Sequence, residues 1–198
     1  MALLVLGTVI WRWRDRRSRR RSKTVLVNRV HRALLKPGAI EERPPMRCVV
    51  YNTFGVPSEV LHPADRPVPD PGPGEIRVRM VLSPVHNHDL WTIRGEYGVK
   101  PVLPAIGGTE ALGIVDKLGE GLTTPAVGQR VTTGSAAGTW AEYFLARATT
   151  VIPVPDAISD DVACQLAAMP LSAMMALEEL GVQPGQLDDP ERRHGRSW

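Results

Sequence analysis

The sequence predicts a mainly β fold with some α: a small, partly open β-barrel followed by a C-terminal linker helix. Three observations carry that prediction. Eighteen Gly and 18 Pro punctuate the 198 residues. Between those turns, from about residue 46 to 145, lie short runs in which apolar and polar residues largely alternate, as they do in strands with one buried face. After Pro153 and Pro155 the period lengthens to that of a helix. The 43% apolar content suffices for one core, and the length allows one domain or a little more.

Residues 1–45 stand apart as a basic leader. Ten mostly apolar residues, MALLVLGTVI, precede the run WRWRDRRSRRRSK. That is about half a membrane span, so stable membrane insertion is not expected. A secretory signal would place its positive charges before the apolar run, not after it. The leader holds twelve Lys/Arg against three Asp/Glu, a net +9, so the rest of the chain carries −6 of the overall +3. The high pI therefore belongs to the leader, and no nucleic-acid-binding fold is expected. An interfacial anchor, a mitochondrial presequence and a basic arm remain open readings. The reading adopted is a disordered or non-native extension, because the first strand starts naturally at Met46.

Residues 46–157 form the predicted barrel. Arg47 to Tyr51 reads as a strand closed by Gly55 and Pro57. Pro63, Pro67, Pro69, Pro71 and Pro73 make a stiff connection unsuited to a central strand or a helix. Glu75 to Leu82 alternates as a strand, followed by strands at Ala111–Leu118, Gln129–Thr132 and Thr139–Leu145. Residues 158–186 read as the linker helix. Ser159 is its N-cap, Asp160 and Asp161 favour its dipole, and Val162, Leu166, Leu171, Met174, Met175 and Leu180 form an apolar stripe expected to face a core. Pro170 should kink or split it. Cys48 and Cys164 show no paired metal spacing and read as buried, reduced thiols.

Chemistry concentrates between Ser83 and Gly113. Here a short helix carries His86, Asn87, His88, Asp89 and Trp91, and a Gly95-Glu96-Tyr97-Gly98 turn follows. The pair Gly107-Gly108 then leads into Thr109 and Glu110. This stretch resembles the medium-chain dehydrogenase/reductase superfamily, in its zinc-free quinone oxidoreductase and enoyl-thioester reductase branch. Members of that branch carry a similar Gly-x-Tyr turn followed by Pro-x-x-Gly-Gly-x-Glu. The resemblance covers about Met46 to Gln186. It implies that the barrel is the chaperonin-10-like (alcohol dehydrogenase-like N-terminal) substrate domain, with NADPH as cofactor and a small-molecule substrate, a quinone or a 2-enoyl thioester.

The same resemblance assigns residues. Tyr97 is implied to be catalytic, the proton donor for the enolate left by hydride addition; a packing role in the turn is its alternative. His86, Asn87, Asp89, Trp91, Glu110 and Trp140 are implied to line the substrate cleft, Glu110 by anchoring backbone at the domain junction. The zinc branch places Cys-His-x-Asp and Gly-His-Glu at sites occupied here by His86-Asn87-His88-Asp89 and Gly108-Thr109-Glu110. Thr109 cannot supply the imidazole, so no metal ligand is assigned and zinc is not expected.

After Gln186 the resemblance implies a Rossmann domain, but the chain reads LDDPERRHGRSW, with no strand and no glycine loop. One permitted back-translation, read one nucleotide later, gives Trp-Met-Ile-Gln-Asn-Ala-Ala-Thr-Gly-Ala-Val-Gly, an apolar strand opening into a phosphate-binding type of loop. The expectation is a frameshift and truncation, with residues 187–198 an aberrant tail and the Rossmann domain missing. The chain is then the substrate-binding portion of a zinc-independent oxidoreductase, inactive as written. Because the family dimerises through the missing domain, the homodimer is not carried over. The expected compartment is the cytoplasm, or the mitochondrion if the leader is a presequence. The rival reading is a non-catalytic, stand-alone barrel that binds a ligand.

Overall fold

The computed structural model describes residues 9–12 and 44–181. The readings of the rest of the leader and of the tail after Gln186 lie outside the described residues.

Two antiparallel sheets share the body. In the smaller one, β2 (Met46–Tyr51) lies between β3 (His62–Arg66) and β5 (Ala105–Ile106). The larger is built on β4 (Glu75–Val85), paired with β6 (Ala111–Leu118) along one edge. The other edge of β4 is divided. Residues 75–79 pair with β8 (Tyr143–Arg147), and residues 82–85 pair with β1 (Val9–Arg12) from the leader. β7 (Arg130–Thr133) and β9 (Ile152–Pro153) extend the sheet beyond β6. An isolated bridge between Cys48 and Ala141 joins the two sheets. The result is the partly open, mainly β arrangement that the turn-rich pattern predicts.

Alternation does the packing. Ile76 and Val78 of β4, Val115 of β6, Val131 of β7 and Phe144 of β8 form one apolar cluster, and Met46, Cys48, Val50 and Ala141 a second. A third joins Leu82 and Leu112 to Val154, Ala163 and Cys164, seating the segment around residues 154–164 on the barrel. Cys48 and Cys164 are buried free thiols. Burial pushes both thiols up, Cys164 to about 11.

Pro63 lies in the outer strand β3, where a missing N–H costs no central pairing, so the prolines stay out of a central strand as expected. Four local expectations need correction. The segment after Gly55 closes as a one-turn helix, α1 (Pro57–Val60), with Pro57 at its first position. The strand expected from Thr139 begins only at Tyr143, because Gly138, Thr139 and Trp140 bond to the backbone of Gly107 and Gly108 instead. The linker helix is split, as α3 (Asp160–Ala163) and α4 (Ala168–Glu179), but not by Pro170. Pro170 falls in the first turn of α4, where its missing N–H has no intrahelical partner to lose. The apolar stripe is the larger correction. Of that stripe Leu166 alone packs against a described core cluster; Val162, Leu171, Met174, Met175 and Leu180 are exposed, as are Met169 and Leu177. Helical periodicity says which residues share a face, not whether something covers it. No described helix is long and apolar enough to cross a membrane.

The proline-rich connection is pinned by a buried arginine. Arg77 of β4 gives its Nε–H to Asp116 of β6 at 2.6 Å and bonds the carbonyl of Pro69 and the carboxylate of Asp70 at 3.0 Å each. Its guanidinium also lies 5.8 Å from the Tyr143 ring centroid. A point-charge ammonium cannot reach all three partners at once. Arg77→Lys is expected to lower stability by about 1–3 kcal/mol, the scale of one or two hydrogen bonds to charged groups, read as a lower urea midpoint with an unchanged slope. An unchanged midpoint would show that the loop holds itself.

Candidate functional site

The site grows from the end of β4. A second helix, α2 (Asn87–Arg94), starts directly after that strand, with His86 as its N-cap. Asp89, at the third helical position, accepts the His86 backbone N–H on Oδ2 at 2.9 Å, which satisfies an orphan donor and places a negative charge at the positive end of the dipole. Arg94 complements the other end, and Gly95, with φ 76°, closes the helix in the left-handed conformation.

Facing this helix is the segment that leads into β6. Trp140 lies against Gly107 and Gly108: a Cβ on Gly107 would stand 2.3 Å from the indole, and one on Gly108 would stand 2.4 Å from it. Only glycine allows that approach. The indole N–H donates to the carbonyl of Pro84 at 3.2 Å, so Trp140 ties the glycine pair to the end of β4. Thr109 and Glu110 are thereby presented to α2.

Glu110 is 0% exposed and fully committed. Its Oε2 lies 2.5 Å from His86 Nε2. Its Oε1 accepts the backbone N–H groups of Ala167 and Ala168 at 2.8 and 2.9 Å. Those are the first orphan donors of α4, so one carboxylate caps that helix and holds it to the barrel. Even the Glu110 carbonyl is used, accepting Ser83 Oγ–H at 2.6 Å and Thr139 Oγ1–H at 3.2 Å.

Asp89 is equally occupied. Its Oδ1 accepts the Thr109 hydroxyl at 2.9 Å, and Thr109 Oγ1 lies 2.8 Å from His88 Nε2. The His86 and His88 rings stack at 5.0 Å between centroids, and the Tyr97 ring tilts over His88 at 5.8 Å. Tyr97 is 41% exposed. The structure thus gathers His86, His88, Asp89, Glu110 and Tyr97 around Thr109. Trp91, on the same side of α2 one turn past His88, is 48% exposed, which rules out a core position; Asn87 also faces solvent. Trp140 stands behind the glycine pair. Reasoning from sequence treated Thr109 only as a missing imidazole and did not single out Ser83 or Thr139; a hydroxyl flanked by a glycine pair and a carboxylate was the available signal.

The hydrogen bond that His86 donates to Glu110 raises the His86 pKa above its ordinary value, against the opposing effect of burial, with the charges of Glu110 and Asp89 adding to the rise. As for guests, no three His, Cys, Asp or Glu side chains among the described residues gather in a metal-holding arrangement. Nor do the described residues fit a dinucleotide's pyrophosphate. Every described strand pairing is antiparallel, with no strand–glycine loop–helix unit, and the amides opening α4 are taken by Glu110.

Residues 72–156 match the alcohol dehydrogenase GroES-like domain. The synaptic vesicle membrane protein VAT-1 homolog of Rattus norvegicus is 31% identical over 144 residues, 72% of this chain and 36% of that protein. The mitochondrial enoyl-[acyl-carrier-protein] reductase of Xenopus tropicalis is 29% identical over 141 residues, 70% of this chain and 40% of that protein. Among solved structures, a mycobacterial protein complexed with NADPH superposes with a TM-score of 0.65 at 32% identity, covering 71% of this chain and 43% of that one. The quinone oxidoreductase of Pseudomonas syringae gives 0.66 at 28% identity, covering 71% and 43%. The chain therefore spans about two fifths of the length of the relatives it matches.

A raised His86 pKa links the site to stability. The protonated imidazole favours the folded state, so its contribution is complete below about pH 6.5, the unfolded value. It is lost as pH rises through the higher folded value. The wild-type melting temperature should therefore fall as pH is raised from 6 to 9. His86→Gln, which keeps a hydrogen-bond donor but cannot titrate, should show a flatter profile. Parallel profiles for the two proteins would mean that His86 is neutral in the fold.

Proposed function

We propose that the chain belongs to the medium-chain dehydrogenase/reductase superfamily through its GroES-like domain, and that residues 46–181 are the substrate side of a zinc-independent, NADPH-using oxidoreductase. Its proposed substrates are quinones or 2-enoyl thioesters. The observation that carries this reading is the division of labour in the cluster. Both carboxylates are consumed inside it, while a phenol and an imidazole, Tyr97 and His88, stand at its open side. Such a site suits proton delivery to an oxygen-bearing conjugated substrate. It suits poorly a metal that would need those same carboxylate lone pairs.

The nicotinamide supplies hydride when bound, and its pyrophosphate has no cradle among the described residues. What this chain contributes is the proton and the geometry. In the thioester case the Tyr97 phenol, exposed beside His88, would hydrogen-bond the developing enolate and protonate the α-carbon. In the quinone case the reduced ring takes protons from solvent and Tyr97 matters less. The stand-alone binding module is the weaker reading, because a self-sufficient domain would not leave exposed the five large apolar side chains of α4 and Leu180 just after it. The cytoplasm is the proposed compartment, and the mitochondrial relatives keep a presequence in play.

Two measurements test this. Calorimetric titration of the chain with NADPH to millimolar concentration should give no saturable heat; a micromolar Kd would reveal a phosphate site elsewhere in the chain. In a chimera that supplies a dinucleotide-binding domain after α4, Tyr97→Phe should lower kcat for a 2-enoyl thioester by about 10²-fold or more, the usual scale for a positioned acid. Turnover of a quinone should be nearly unchanged. Equal thioester turnover with Phe would reduce Tyr97 to a packing residue.

A further inference from the structure

The direction of the protons in the cluster follows from counting them. Thr109 has one hydroxyl proton, and it goes to Asp89 Oδ1 at 2.9 Å. An oxygen that has given its proton can only accept, so the 2.8 Å contact with His88 Nε2 must be supplied by the imidazole. The reverse arrangement, with Thr109 donating to a bare Nε2, would leave Thr109 Oγ1 and Asp89 Oδ1 as two acceptors face to face, at a carboxylate that is buried. That is the costly way to fill a buried site. His88 therefore carries Nε2–H, and in the neutral ring Nδ1 is a bare lone pair. Every buried side-chain nitrogen and oxygen among the described residues has a partner. None of them partners Nδ1, so Nδ1 opens to solvent, on a ring that lies between those of His86 and Tyr97.

We infer that His88 is a substrate contact: its Nδ1 accepts a phenolic or enolic hydroxyl on a flat conjugated ring, and Asp89 through Thr109 sets the tautomer that makes this possible. The inference rests on the proposed function and narrows it. A hydroquinone, the reduced partner of a quinone, presents such a hydroxyl, whereas a saturated thioester does not. Asp89 and Thr109 are positioning residues here, playing toward His88 the part that an orienting carboxylate plays toward a catalytic imidazole. The exposed Tyr97 ring supplies an aromatic face beside the acceptor.

The test uses the full chain labelled with 15N-histidine, with His88 assigned by the signal lost in His88→Gln. Proton–nitrogen correlation spectra should show the Nε2–H tautomer in the wild type and in Thr109→Ser. Thr109→Val, which lacks the hydroxyl, should give a mixture. Hydroquinone added at millimolar concentration should move the Nδ1 resonance, and its dimethyl ether should not. A wild-type Nδ1–H tautomer would overturn the inference, as would equal shifts with the ether. Hydroquinone that moves the His86 ring signals but leaves His88 Nδ1 in place would also overturn it, while sparing the proposed function. If neither compound moves any signal at the site, the inference and the functional reading fall together.

Discussion

The carboxylate of Glu110 is the constraint on which the rest of the site depends. It sits where β6 begins, at 0% exposure, and reaches two other elements at once. One oxygen meets the imidazole at the start of α2, and the other receives the two amides that open α4. A buried carboxylate is tolerable only when every lone pair is engaged, and here the engagement is what joins barrel to helix. Removing the side chain would leave an imidazole and two amides without partners in the same small volume. The helix would then be held mainly by the Leu82, Leu112, Ala163 and Cys164 contacts of the short segment before it.

Electrostatics at the start of α2 show why the cluster has this composition. A protonated His86 beside a helix N-terminus opposes the helix dipole. Glu110 and Asp89 offset that opposition from two sides, Asp89 while also capping the helix. With the carboxylates spent on that balance, the groups left at the surface are the ones with protons to exchange or accept. The division between buried acids and open phenol and imidazole follows from burial cost rather than from any single residue.

Much of this was legible from residue order. Alternation between Glu75 and Leu82 located the central strand, and the glycine pair with Thr109 and Glu110 marked the polar cluster around Thr109. Local rules sufficed there because strand pleat and turn chemistry are local. The misses share a cause: each depended on what lies across space. Nothing in the stripe from Met169 to Leu180 says whether a neighbour covers it. Nothing in Thr139-Trp140 says that its backbone will bond to Gly107 and Gly108 rather than extend β8. The role of Thr109 as a link between Asp89 and His88 needs residues 20 and 21 positions apart to meet. Sequence spacing alone does not supply such a meeting.

The two buried thiols have a practical meaning of their own. Cys48 lies in the middle strand of the small sheet, and Cys164 at the break between α3 and α4, each shielded and each disfavoured as thiolate. A cysteine in that condition reacts with an alkylating reagent only during the moments when its surroundings open. Placed in different parts of the molecule, they form a natural pair of clocks. The labelling rate at Cys48 times excursions of the small sheet, and the rate at Cys164 times the parting of helix from barrel. Mass spectrometry can read both from one unmodified chain.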